Sequence, residues 1–137
     1  MTVTRGDKLT HGENLIPRYL YLPAEDRENF NIGQYFELSN KFIEESRKFT
    51  NVLIHCVAGI SRSATLVAAY IMGKYNHTAH DAIAFVKRRR NKVYISLFRY
   101  HQIEDFVSSC EKSNQQMRQK RSKMTKKLFR VLLNSKR

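Results

Sequence analysis

The chain has 137 residues, 42% apolar and 27% charged, which is enough for one hydrophobic core, and it carries a formal net charge of +13. Its two cysteines, Cys56 and Cys110, are too few and too far apart for a disulfide scaffold, and no apolar run approaches the roughly 20 residues that a helix needs to cross a bilayer. With no leader-like start, the expected setting is a reducing compartment, the cytoplasm, with the nucleus open to a chain bearing such Lys and Arg clusters.

In chain order, residues 1–18 read as a short polar segment in which only Met1 to Thr4 and Leu15 to Ile16 have strand character. Residues 19–23 predict a strand. A helix over 32–49 follows, with Asn31 as its cap and Tyr35, Phe36, Leu38, Phe42, Ile43 and Phe49 along one broad face. Residues 52–55 predict a buried strand, 62–75 an apolar helix and 79–90 a helix opened by a capping box of Thr78 and Asp81. A last helix, 97–112, starts at Ser96 and sets Cys110 on a face beside Phe106 and Val107. Strands mixed with helices give an α/β domain over 19–112, with a ligand site expected at the carboxyl end of a strand.

The charge is uneven, +4 over residues 1–110 and +9 over 111–137. Met117, Met124, Leu128, Val131 and Leu132 recur at helical spacing among lysines and arginines, so residues 113–137 predict a basic amphipathic tail. Such a tail suits an anionic membrane or a groove on a partner protein, or is a solvated continuation of the preceding helix. Nucleic acid is not the expected partner, and the sequence leaves the oligomeric state open.

The chemistry concentrates in His55-Cys56-Val57-Ala58-Gly59-Ile60-Ser61-Arg62-Ser63, between the second strand and the apolar helix. In so short a loop the amides of Val57, Ala58, Gly59, Ile60, Ser61 and Arg62 turn inward, and the helix adds the positive end of its dipole. Arg62 is placed to grip two phosphate oxygens with its planar fork, as a lysine could not. The same field acts on Cys56 and favours its thiolate, so the loop suits a phosphate dianion above a nucleophile. Ser63 is placed to hydrogen-bond the sulfur and assist its departure, and His55 to brace the loop. An acid for the leaving oxygen must come from outside the loop. Asp26 is preferred over Glu25 and Glu28, because it directly follows the first strand and should emerge at the same sheet edge as Cys56.

These residues resemble the Cys-x5-Arg phosphate loop of the protein tyrosine phosphatase superfamily, and the form His-Cys-x-Ala-Gly-x-Ser-Arg-Ser is similar to its dual-specificity branch. The likeness runs from about Tyr19 to Phe106. It implies a phosphatase-like sheet flanked by helices and hydrolysis of phosphotyrosine and phosphoserine or phosphothreonine through a phosphocysteine, without metal or cofactor. It also implies Asp26 as acid and then base, and it sets Ser96 where relatives place a supporting asparagine. Relatives carry further strands ahead of the segment matching Tyr19, some of them flanking the nucleophile's strand. Residues 1–18 are too few and too polar to replace these, so the sheet is expected to be incomplete at its N-terminal strands. Two other readings stay open: a catalytically weak domain that captures phosphoproteins, and an RNA 5′-phosphatase.

Overall fold

The computed structural model describes residues 1–3 and 18–134, so the strand character read at Leu15 to Ile16 lies outside the described residues. The first element falls in Met1 to Thr4, the stretch with strand character, and joins the sheet as one short strand. Strand β1 (Thr2–Val3) pairs in parallel with β2 (Tyr21–Leu22), in the register Thr2 to Tyr21 and Val3 to Leu22, and Thr2 forms a further parallel bridge to His55. The nitrogen of Met1 donates to the Leu53 carbonyl at 2.8 Å, His55 N–H to Met1 at 3.1 Å, and Thr2 N–H to Leu20 at 2.9 Å. β1 therefore lies between β2 and the nucleophile's strand. Met1 and Thr2 are buried, and their short length suffices because the two neighbours satisfy their backbone groups.

The strands are shorter than their sequence pattern. Only Tyr21–Leu22 of 19–23 is regular strand, and of 52–55 only His55 bridges another segment. The first helical stretch also divides. Ile32–Tyr35 is a 3₁₀ turn and α1 is Phe36–Ser46. Asn31 precedes the turn without a side-chain capping bond, so its expected role as a cap is not realised.

α2 (Arg62–Tyr75) and α3 (Ala79–Arg89) match their expected spans, and Thr78 caps α3 by accepting the Asp81 N–H at 3.1 Å. α2 is the central helix, with Ala64, Leu66, Ala68, Ala69, Ile71 and Met72 all buried, as expected of a helix that is apolar around most of its circumference. Leu22, Ile32, Phe36, Leu66 and Ile103 are the large apolar side chains most completely removed from solvent, each contributing about 1.5–3 kcal/mol by burial. Phe36 meets Phe106 edge to face at 5.2 Å. The core thus welds α1, α2 and the start of the helix that begins at Leu97 around the site.

α4 spans Leu97–Asn134, well past the expected end at 112. The chain divides into two compact units, Met1–Val107 and Ser108–Arg137. In the second unit Cys110, Met117 and Met124 are exposed, while the side chains of Leu128, Val131 and Leu132 lie outside the described residues. Among the described residues no helix is long and apolar enough to cross a membrane.

Candidate active site

The loop from Cys56 to Ser61 joins His55, held in the sheet by Met1 and Thr2, to the first turn of α2. His55 is the brace expected of it, with Nε2 2.8 Å from the Thr2 hydroxyl. Gly59 takes φ +64°, which any L side chain resists, and the Arg90 side chain packs directly against it. Three consecutive loop residues are held from the segment that follows α3. Arg90 Nε donates to the Gly59 carbonyl at 2.9 Å, Tyr94 N–H to Ile60 at 3.0 Å, and Arg99 Nη1 to the Ser61 hydroxyl. A Gly59→Ala chain should lose about 1–2 kcal/mol of stability to backbone strain, read as a lower melting temperature, and its Cβ should displace Arg90 from the loop.

Ser61 is the residue ahead of α2, yet it makes no side-chain capping bond, because its hydroxyl is taken by Arg99. The first amides of α2 therefore face the loop without a side-chain cap, where they suit an anion.

Cys56 is buried, and its Sγ lies 3.3 Å from the Ser63 hydroxyl. Burial pushes the thiol up, but the Ser63 hydroxyl, the N–H groups of Ser63 and Gly59 and the Arg62 guanidinium together outweigh it, so its pKa falls below the ordinary 9.0. Arg62 is buried too. Its Nη1 donates to the Ala24 carbonyl at 3.1 Å and its Nη2 to Asp26 Oδ2 at 3.1 Å, while Nε is buried with no partner among the described residues. Asp26, half exposed, thus reaches across from the loop after β2 to the arginine of the phosphate loop. Of its competitors, Glu25 pairs with Arg27, and Glu28 lies at the wall of the cleft.

That cleft, about 530 Å³, opens over Cys56, Ala58 and Ser61 and is walled by Asp26, Ser96 and Arg99. Ser96 is buried and accepts the Arg99 N–H at 3.5 Å, so it caps α4 at the cleft wall. The sites named from sequence are all present around one loop. Thr2, Arg90 and Arg99 were not foreseen. Thr2 falls in a stretch with strand character but no chemical signal, and Arg90 closes a run, Arg88 to Arg90, that reads as a solvated face. Arg99 alone carried a signal, since a cation in the first turn of a helix opposes the dipole and requires another reason to be there.

Residues 3–109 match the family described as dual specificity phosphatase, catalytic domain. The chain belongs to this family. It is 48% identical over 77 residues to tyrosine-protein phosphatase yvh1 of Schizosaccharomyces pombe, covering 56% of this chain and 23% of that protein. It is 40% identical over 89 residues to human dual specificity protein phosphatase 7, covering 64% of this chain and 21% of that one. The chain therefore spans about a fifth to a quarter of these relatives' length. Among solved structures, the human tyrosine phosphatase-like serine/threonine/tyrosine-interacting protein superposes with a TM-score of 0.69 at 30% identity, covering 77% of this chain and 73% of that one.

Proposed function

We propose that this chain is a cysteine-dependent phosphoprotein phosphatase acting on phosphotyrosine and on phosphoserine or phosphothreonine. Cys56 attacks phosphorus, forming a P–S bond as the P–O bond to the substrate breaks, and Asp26 gives its proton to the departing oxygen. Arg62 and the amides of residues 57–62 hold the three equatorial oxygens. Water then attacks the phosphocysteine, Asp26 takes its proton, and the sulfur leaves as a thiolate stabilised by the Ser63 hydroxyl. His55 and Ser96 support the loop and its wall without touching the substrate.

The observation that supports this reading is that Asp26, from the loop after β2, meets Arg62 of the Cys56–Arg62 stretch beside a cleft that opens over Cys56. The loop side chains of Val57, Ala58, Ile60 and Ser61 bear no charge, which favours a protein monophosphate over a polyphosphorylated inositol lipid. The nucleophilic thiolate favours a reducing setting, the cytoplasm and, through the Lys and Arg clusters of the tail, the nucleus. The tail, at +9 over residues 111–137, is read as a docking element for an anionic membrane or a partner protein.

The purified chain should hydrolyse a small aryl phosphate with a chelator present. Asp26→Asn should lower kcat about 100-fold on phenyl phosphate and far less on a nitrophenyl phosphate, whose leaving group needs no proton. An inactive parent chain, or equal losses on both substrates, would remove Asp26 or the whole reading from consideration.

A further inference from the structure

The cleft holds a second buried guanidinium that the phosphatase chemistry does not use. Arg99 is as buried as Arg62, with 4% of its surface exposed in each case. A cation this deep requires partners. Its Nη1 donates to Ser61, its Nη2 lies 3.4 Å from Asp26 Oδ1 and 3.3 Å from the Arg27 carbonyl, and its Nε is buried with no partner among the described residues. Asp26 therefore sits between two arginines, one oxygen toward each.

The arrangement has a consequence for the reaction. A bound phosphoryl group needs the fork of Arg62, which Asp26 now occupies in part. Once the dianion takes that fork, the carboxyl group keeps its place over the phosphate only if something else holds the loop. The loop from 23 to 31 has no regular structure of its own. One turn further along α4, Gln102 accepts the Gly33 N–H at 3.0 Å and donates to the Phe30 carbonyl at 3.2 Å, so the same helix face also fastens the end of the segment that follows Asp26.

We propose that Arg99 is a positioning residue: it ties the Asp26 segment to the phosphate loop through Ser61, and it keeps the carboxyl group over the cleft when substrate claims Arg62. This deepens the phosphatase reading and rests on it.

The test compares Arg99→Met and Arg99→Lys with the parent chain on two aryl phosphates. With phenyl phosphate, whose leaving group must be protonated, Arg99→Met should lower kcat about 30-fold with KM within about twofold. With a nitrophenyl phosphate the loss should stay within about threefold, and Arg99→Lys should recover part of the difference. Adding Arg99→Met to Asp26→Asn should cost nothing further, because both act on one proton transfer. Equal losses on both substrates, a rise in KM alone, or additive losses in the double variant would overturn the proposal. Tryptic cleavage after Arg27 in saturating phosphate gives a readout that needs no turnover. It should be about tenfold faster in Arg99→Met while phosphate still raises the melting temperature, and unchanged cleavage would also overturn the proposal. A parent chain that binds phosphate without turnover would instead count against the phosphatase reading, leaving the cleavage result to decide the role of Arg99.

Discussion

Replacing Cys56 with serine is expected to lower aryl phosphate hydrolysis about 10⁴-fold or more, while phosphate still raises the melting temperature of the variant. The two halves of this outcome come from different atoms. In the proposed mechanism the sulfur is the attacking group, and a hydroxyl in its place has neither the low pKa nor the nucleophilicity. In the same mechanism the anion is held by Arg62 and by amides that the substitution leaves where they are. The state of the thiol can be read separately by following alkylation of Cys56 against pH. The midpoint should fall below 9.0, because the Ser63 hydroxyl, the loop N–H groups and Arg62 outweigh the effect of burial. In Ser63→Ala the midpoint should move back up, since the hydroxyl 3.3 Å away has gone. Full activity in Cys56→Ser would end the phosphocysteine mechanism.

Arg62→Lys should cost nearly as much, about 10³-fold in kcat/KM, and should also remove the stabilisation by phosphate. The guanidinium spans two tasks at once. One nitrogen is tied to the Ala24 carbonyl at 3.1 Å, which fixes the side chain against the loop before Asp26, and the other faces the anion site where Asp26 now binds. An ammonium makes a point contact, so it can hold the Ala24 carbonyl or the phosphate but not present a planar fork to two oxygens. Loss of phosphate stabilisation distinguishes this variant from Cys56→Ser, which keeps it. A variant that retained both turnover and phosphate stabilisation would show that the amides alone hold the anion.

The site was more legible than the fold. Cys56, Arg62 and Ser63 lie within eight residues, and a strand, a tight loop and a helix N-terminus constrain such a stretch so strongly that local sequence implies local geometry. α2 and α3 were legible for a related reason, because their apolar periodicity and the Thr78 cap act within the element itself. The strands were legible in place, within Met1 to Thr4, 19–23 and 52–55, but not in length or pairing. Thr2–Val3 is two residues long, and its place between Tyr21–Leu22 and His55 rests on backbone bonds to partners 19 and 53 residues away, which no local pattern records. The helix over 32–49 was read as one element because its apolar residues keep a single face, whereas the backbone tightens into a 3₁₀ turn over Ile32–Tyr35 before α1 begins.

Sequence by itself singled out Cys56 as the candidate nucleophile, Arg62 as the candidate phosphate ligand, the glycine between them and the bias of charge toward the tail, since each follows from residue chemistry at short spacing. Only the tertiary structure decided which carboxylate meets Arg62, that Thr2 bridges Tyr21 and His55, and that Arg90 and Arg99 hold the loop from Gly59 to Ser61 from outside. These are contacts between segments 30 to more than 70 residues apart. Their geometry exists only once the packing of Phe36, Leu66 and Ile103 has fixed α1, α2 and α4 around one core.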